Sequence, residues 1–522
     1  MRKFLAAALT LSMVLSLFAG CAAADTPYIP TGDALAAEDA DLNAVVDIQD
    51  SEPQEFSLAY YADRSLNPFT CGDFTNRTLF SLIYQGLFSA SRDYTAVPIL
   101  CERYEMSGDY KTYTFYIYDN ATFSDGSSLT ISDVLASYQA AQKSSYYGGR
   151  FTHVSDIALT DGGITFYLST PVEDFPLLLD IPIVKASQVD DESPLGSGAY
   201  ILESALTGAH LRRNPAWWCD SIADLVVTAN SIPLVAAENP IQIRDEFEFH
   251  DVGLVCADPC ADNYADFRCD YELWECENGI FLYLACNVAY GQNEIFEDAS
   301  VRSLLTYAID REKLVEDNYR GFARATTIAI SPNSPDYSPG LAAKYEYDPV
   351  RFINSLGRIP NTEEPLRLLV NSDDSARLRT ARSIADMLTE CGLETVTVEL
   401  GTRQYKNEII NGAYDLYLGA TRLSANMDLS PFFRPYTELS RNGVSDPTIY
   451  ALCKDAMENH GNFYNLHKAV ADDARIIPIL FCSYAVYADR GLLTDLAPSR
   501  DNVFFYTLGR TDADALTPEA AG

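Results

Sequence analysis

The chain has 522 residues, of which 48% are apolar and 12% aromatic, a composition that can bury a large core and argues against a disordered protein. At about 150 residues per domain there is room for roughly three units. A formal net charge of −37 argues against nucleic acid or an anionic lipid surface as the main partner, since both are polyanions.

Arg2 and Lys3 precede an apolar run from Phe4 to Phe18, short for a span of about 20 residues, and small residues Ala19 and Gly20 follow before Cys21. This pattern predicts a secretory signal over 1–20. "LFAGC" also resembles the bacterial lipobox, with Phe18 where leucine is usual and Leu17 one place earlier. That resemblance implies that the Cys21 thiol is lipidated and becomes the new N-terminus; an ordinary signal peptide cut nearby is the alternative. From 21 to 55 there is no Lys or Arg, while carboxylates such as Asp25, Glu38, Asp47 and Glu55 recur among Ala, Thr and Pro. Such a segment buries too little to fold, and its like charges extend it, so it predicts a tether with the folded body beginning near Phe56.

"FSLAYYADRSLNPF" opens as an apolar strand that breaks at Asn67-Pro68, and "LFSLIYQGLFSA" places Leu79, Leu82, Ile83 and Leu87 at helical spacing. In "TYTFYIYDNATFSDGSSLTISDV", Tyr113, Phe115 and Ile117 share one face of a strand. Ser124-Asp125-Gly126 is turn chemistry, and Thr130 with Asp133 makes a capping-box pattern for the next helix. "PLGSGAYIL" pairs a Gly-Ser-Gly turn with a strand, and "LRRNPAWW" ends in a turn with two aromatics.

Twelve cysteines leave eleven once Cys21 is set aside, an odd number that predicts at least one free or externally paired thiol. Cys256, Cys260, Cys269, Cys276 and Cys286 crowd one region without a C-x-x-C pair or a nearby His pair. That spacing predicts no zinc site and leaves open both disulfides and small buried thiols.

In the second half, "VRSLLTYAIDREKLV" places Val301, Leu304, Leu305 and Ala308 on one helical face, with Asp310 able to cap a continuation. "LRLLV", "SARLRTARSIADMLTECG" and "LETVTVEL" read as strand, helix and strand. Leu378, Ala381, Ala385 and Leu388 point inward and Gly392 stops the helix, which makes a βαβ unit with parallel strands. "YDLYLGA" supplies another buried strand.

Enzyme chemistry finds little footing. The five histidines, His153, His210, His250, His460 and His467, lie in no H-E-x-x-H and beside no G-x-S-x-G elbow, and there is no Walker A loop. Acidic pairs such as Asp373-Asp374 read as a solvated helix entrance. The expectation is a protein that is not an enzyme and has no cofactor, no catalytic residue and no metal.

The segment "VPILCERYEMSGDYKTYTFYIYDNATFSDGSSLTISDVLASYQAA" resembles the signature of the family 5 extracellular solute-binding proteins, the oligopeptide and dipeptide receptors of ABC importers. The match runs from Pro98 through Val134, with Cys101 for the usual Ala, Tyr104 for Trp and Tyr118 for Arg. Further blocks follow in family order: "LNPF" near Asn67, "IYQGLF" near Gly86, "GSGAY" at 196–200, "RNPAWW" at 213–218, "VRSLLTYAIDREKLV" at 301–315, "YDPVRFINSLG" at 347–357 and "GAYDLYLG" at 412–419.

The resemblance implies an α/β, two-lobed type II (cluster C) periplasmic-binding-protein fold with an extra subdomain and crossing hinge strands. The corresponding division is 1–20 signal peptide, 21–55 tether, 56–95 first segment of lobe I, 96–185 small subdomain II, 186–279 second segment of lobe I, 280–470 lobe III, 471–512 return segment of lobe I and 513–522 tail.

It further implies a monomer outside the cytoplasm, lipid-anchored to the cell membrane, that delivers short peptides to an ABC permease and its ATPase subunits. A receptor for a nickel complex, haem, an opine or an oligosaccharide, or a sensor or adhesin retaining the fold, is the alternative. In the family an aspartate after the "YDL" strand meets the peptide ammonium. Here that segment is "GATRLSANMDLSPFF", with Ala420 for a common Trp, and Asp428 as its only carboxylate becomes the expected contact; a helix or turn cap before Leu429 and Pro431 is the other reading. Asn67, Gly196, Ser197 and Gly198 are expected to line the cleft, unless the glycines only let the chain turn.

Overall fold

The computed structural model describes residues 56–509, except 206, 207, 262–266, 290, 292, 361 and 363, together with 519–520. Cys21 and the tether lie outside the described residues. An eleven-stranded mixed sheet runs through the body. Its path takes Thr395–Leu400, Leu366–Asn371, Leu416–Arg422, Tyr271–Cys286, Ile476–Asp489, Leu254–Ala257, Leu58–Tyr60, Ser231–Ala236, Gly208–Arg213 and Tyr200–Ala205 in that order, with Ala323–Ala325 added against Ile476–Asp489.

Two strands join the halves of this sheet. Tyr271–Cys286 and Ile476–Asp489 run antiparallel over nearly their whole length, from Tyr271 opposite Asp489 to Ala285 opposite Ile476. Their register breaks between Glu277 and Phe281, where Gly279 takes φ +75°, a left-handed conformation that favours glycine. On one side of the break the stretches Ile280–Cys286 and Ile476–Phe481 are apolar on both faces, as befits strands covered on each side, whereas Glu275, Glu277 and Ser483 put polar groups at the break itself.

The βαβ unit forms as its periodicity predicts. Leu366–Asn371 pairs in parallel with Thr395–Leu400 across the helix Ser375–Glu390, which buries Ala381, Ile384, Ala385 and Leu388 and ends before Gly392 at φ +95°. Asp374 caps that helix by accepting from the Arg377 N–H, while its neighbour Asp373 accepts from the Thr402 N–H at 2.8 Å. A second sheet, built on Cys101–Met106, Thr112–Ile117, Gly163–Leu168 and Val154–Thr160, carries the helix Ile131–Ala141. Tyr113, Phe115 and Ile117 are its buried face, and Asp133 Oδ2 accepts from the Thr130 N–H at 2.9 Å as the capping pattern predicts.

Two expected helices are shorter than their apolar spacing suggests. The helix expected through Leu87 consists of Phe74–Thr78 and Phe80–Ile83. At Tyr84 the backbone turns extended, and Gln85 bridges to Ile183. Since Leu82, Ile83, Tyr84 and Gln85 are all buried, the run is enclosed on every side and its spacing does not select a helix. In the 301–308 stretch, only Ala299–Arg302 is α-helical and Ser303–Ala308 tightens to a 3-10 turn, after which Asp310 caps Arg311–Tyr319 by accepting from the Lys313 N–H.

Ten cysteines between Cys71 and Cys482, Cys101 aside, are free thiols, most of them buried. Burial raises those of Cys256, Cys276 and Cys286, so they behave as small apolar side chains rather than reactive thiolates. Among the described residues no helix is long and apolar enough to cross a membrane, and no group of three His, Cys, Asp or Glu side chains could hold a metal ion.

Candidate functional site at the junction of the halves

The strand break at Gly279 leaves room that a side chain from elsewhere fills. A Cβ on Gly279 would lie 2.5 Å from Cζ of Arg500, so the guanidinium sits directly on the glycine backbone. Arg500 donates from Nη2 to the Leu423 carbonyl in the second half, while its Nε and Nη1 have no hydrogen-bond partner although buried.

Next to it, Asp501 gathers charges from three parts of the chain. Its Oδ1 accepts from Arg422 Nη2 at 2.7 Å and from the Tyr146 hydroxyl at 2.6 Å; its Oδ2 accepts from Arg150 Nη2 at 3.2 Å and lies 3.6 Å from Arg500 Nε. Burial alone would raise the Asp501 carboxyl, but Arg422, Arg150 and Arg500 overturn this and hold it well below the usual carboxylate range. Arg150 also pairs with Asp180. Arg77 lies 3.4 Å above the Tyr146 ring and donates to Tyr147 Oη at 2.7 Å. Asp180 Oδ2, Ser499 Oγ and Asn502 Oδ1 are buried without partners around a cavity of about 60 Å3 that Arg77, Tyr147 and Asp501 also line.

On the crossing strand itself, Glu277 ties the halves together. It accepts from the Tyr94 hydroxyl of the first half and from Ser331 Oγ at 2.7 Å and Asn333 Nδ2 at 3.3 Å of the second. Burial raises its carboxyl, and the Tyr94 and Ser331 hydroxyls only partly offset that.

A seam joins the small sheet to the second half. Asp428, 7% exposed, accepts from the Ser430 N–H through Oδ1 at 2.8 Å, and its Oδ2 lies 2.8 Å from His153 Nε2. With that nitrogen donating, His153 Nδ1 accepts from the Thr170 hydroxyl at 2.6 Å. Burial opposes the Asp428 charge, yet the His153 and Ser430 hydrogen bonds outweigh it and lower its carboxyl. A second histidine crosses the same seam in the other direction: His460 Nδ1 sits 2.8 Å from Asp336 and its Nε2 3.6 Å from Asp174, beside a Glu173 N–H that donates to the Met457 carbonyl. Neither histidine–carboxylate pair has a local sequence signature, because the partners lie on separate elements.

The other expected cleft residues sit in tight packing. Asn67 spends its amide on the Val189 and Asp191 carbonyls at 2.8 and 2.7 Å and its Oδ1 on the Phe69 N–H. Ser197 is fully buried, and its carbonyl accepts from Trp217 Nε1 at 2.9 Å. Gly196 and Gly198 face the turn at Leu82–Tyr84: a Cβ on Gly196 would fall 2.5 Å from Tyr84 Cδ1, and one on Gly198 would fall 2.5 Å from the Ile83 carbonyl carbon. Gly198→Ala is therefore expected to cost about 1–3 kcal/mol, as overpacking against backbone does. Urea unfolding checks this, and an unchanged midpoint would mean the turn yields freely.

Between the halves, Phe88, Tyr94, Tyr104, Glu173, Asp174, Pro335 and His460 line a cavity of about 530 Å3. The first five come from the part of the chain before residue 180, and the last two from beyond residue 330.

The family model for bacterial extracellular solute-binding proteins, family 5 middle, matches residues 95–443. The glutathione-binding protein GsiB of Salmonella typhi is 23% identical over 312 residues, which cover 55% of this chain and 57% of that protein, so the chain spans little more than half the length of the curated relatives it matches. Among solved structures, the ABC transporter substrate-binding protein CtaP of Listeria monocytogenes superposes with a TM-score of 0.71 at 17% identity, covering 88% of this chain and all of that one. The oligopeptide-binding protein AppA of Bacillus subtilis in complex with a nonapeptide gives a TM-score of 0.60 at 17% identity, with 88% and 100% covered. The fold is thus the two-lobed type II binding-protein fold. The chain belongs to family 5 of the bacterial extracellular solute-binding proteins.

Proposed function

We propose that this protein is the substrate-binding component of an ABC importer, tethered outside the cell through a lipid on Cys21, and that it binds short peptides between its lobes as a monomer and passes them to a permease. The observation that carries the reading is the 530 Å3 cavity lined from both halves, a volume within the range of small-ligand sites, with aromatic faces at Phe88, Tyr94 and Tyr104 and carboxylates at Glu173 and Asp174. The family match, a relative named for glutathione and a structural neighbour holding a nonapeptide support a peptide ligand. Closure of two lobes on a solute needs no nucleophile, base or metal, so the reading includes no catalysis. Mass spectrometry of small molecules released on denaturing the purified protein tests it: peptides are expected, and a single non-peptide solute recovered at one equivalent would overturn it.

Asp428 stays the proposed partner of the peptide ammonium, now with a condition attached. Asp428 does not line the 530 Å3 cavity, and its two oxygens already hold His153 and the Ser430 N–H, so an ammonium has to reach it beyond that cavity and compete with both. Asp428→Asn is expected to cost about 1.5–3 kcal/mol of stability through the weakened charged hydrogen bonds. N-acetylating a bound peptide should then weaken binding to the unmodified protein far more than to the variant. Equal sensitivity to acetylation, measured by calorimetry, would leave Asp428 as a fastener of the seam alone.

A further inference from the structure

We propose that the 530 Å3 cavity between the halves takes a side-chain cation of the bound solute, a lysine ammonium or an arginine guanidinium; this rests on the solute-binding reading and narrows its class to basic peptides. The charges on its wall are the first ground. Glu173 and Asp174 line it, the described residues around it include no Lys or Arg, and His460 is their one base. That imidazole is already divided, for Nδ1 sits 2.8 Å from Asp336 while Nε2 stands 3.6 Å from Asp174, too far for a hydrogen bond. One base thus stands against three carboxylates, Glu173, Asp174 and Asp336. Such a wall attracts positive charge and repels an acid.

The loose hold on those carboxylates is the second ground. Among the described residues the Asp174 carboxylate has only long contacts, the 3.6 Å one to His460 and Asn426 Nδ2 at 3.5 Å. Burial raises its carboxyl, and His460 and Asn426 offset that only in part, so a further cation beside it would be stabilising. Glu173 spends Oε2 on the His460 N–H at 3.1 Å, and its Oε1 makes no hydrogen bond among the described residues. Aromatic walls are the third ground. The rings of Phe88 and Tyr104 have centroids 6.0 Å apart and planes at 80°, and Tyr104 is braced by stacking on Phe115. A cation is drawn to the faces of such rings while its methylenes cover them. A neutral solute filling the same space would desolvate both carboxylates and return no charge to them. The solute therefore has two cations with two places, its main-chain ammonium at Asp428 beyond the cavity and its side-chain cation within it.

The test uses the full chain at pH 7 and alanine tripeptides carrying lysine at the first, second or third place. Each is paired with the tripeptide carrying norleucine there, which keeps the stem and drops the charge; pentylamine and 1-pentanol make a pair that is not a peptide. Calorimetry reads the affinities. At least one lysine tripeptide is expected to bind about tenfold or more tightly than its norleucine match. Glu173→Gln and Tyr104→Leu should each cut that ratio at least threefold, and Glu173→Gln should leave the affinity for the norleucine peptide nearly unchanged. Circular dichroism confirms that each variant is folded, and the partly exposed Glu173 supplies the decisive variant if Tyr104→Leu unfolds. Equal binding of lysine and norleucine peptides at all three places, no binding by any lysine peptide or by pentylamine, or a full lysine preference retained in Glu173→Gln would overturn the proposal. Lysine and norleucine peptides bound alike would leave the peptide reading standing without the cation site. Pentylamine preferred over pentanol through Glu173 while no tripeptide binds would keep the cation site and discard the peptide reading.

Discussion

Asp501→Ala is expected to lower the unfolding free energy by about 3–5 kcal/mol in the absence of solute, because it removes one partner of a buried ion pair and leaves its cations uncompensated. The carboxylate meets Arg422 and Arg150 directly and Arg500 at 3.6 Å, and Tyr146 loses its acceptor as well. The pairs are too buried for salt to screen them much, so the loss should persist at 1 M sodium chloride, unlike that of a surface pair. Arg500→Gln is expected to do the opposite of a usual buried-charge deletion. It relieves part of the positive excess, so it should cost much less, and the double variant Asp501→Ala with Arg500→Gln should recover part of the Asp501 loss as a coupling energy. Urea unfolding of the four proteins closes the cycle. A loss below about 1 kcal/mol for Asp501→Ala, or strict additivity, would mean that water already neutralises the cluster.

The same cluster shows where sequence reading stops. The strand at 112–117, the Thr130–Asp133 cap, the Asp310 cap and the βαβ unit at 366–400 are each set by neighbours within about 30 residues, and each forms as their spacing predicts. Arg150, Arg422 and Asp501 instead meet across separations of up to 351 residues. Arg500 and Asp501 stand among Pro498, Ser499 and Asn502, residue types common in turns, and carry no local pattern that marks them as buried. Nothing local says that Arg500 fills the space over Gly279, because that space exists only once the register of the crossing strands breaks.

The turn at Gly196–Gly198 fails to declare itself in the same way. Its glycines look like conformational freedom, whereas what they supply is clearance for the backbone of Leu82 and Ile83, more than 100 residues earlier. Asp428 was reachable through the family pattern, but its partner His153 was not, for it stands alone on a loop before the strand Val154–Thr160. Family resemblance conveyed the order of elements, and the charges that meet at the junction are brought together only by tertiary packing.

Two other histidines are expected to limit stability from opposite sides of neutrality. His467 is buried against Phe463, ring centroids 5.5 Å apart and nearly parallel, and neither ring nitrogen has a hydrogen-bond partner. Burial pushes its pKa down to about 3, and the charge of Asp336 only partly opposes this. Below the unfolded value of 6.5 the unfolded chain takes up a proton that the folded imidazole refuses, so stability falls with pH at up to about 1.4 kcal/mol per unit, about 3 kcal/mol by pH 4. His460 behaves in the reverse sense. Burial disfavours its charge, but Asp174 and Asp336 outweigh burial and raise its pKa to about 10, so its contribution is complete below 6.5 and is lost as pH rises towards 10. The described folded state should therefore be most stable between about pH 6 and 7 as far as these two groups decide it. His467→Leu removes an unpartnered buried polar ring and should be neutral or stabilising at pH 7 while flattening the acid limb above pH 4.5, where most carboxylates are still ionised. His460→Gln should flatten the alkaline limb between pH 7 and 10 and leave the acid one unchanged. Unfolding free energies measured in urea across pH 4.5–10 separate the two; an acid limb as steep in His467→Leu as in the parent would show that this imidazole is solvated, and an unaltered alkaline limb in His460→Gln would show that Asp174 and Asp336 do not hold its proton.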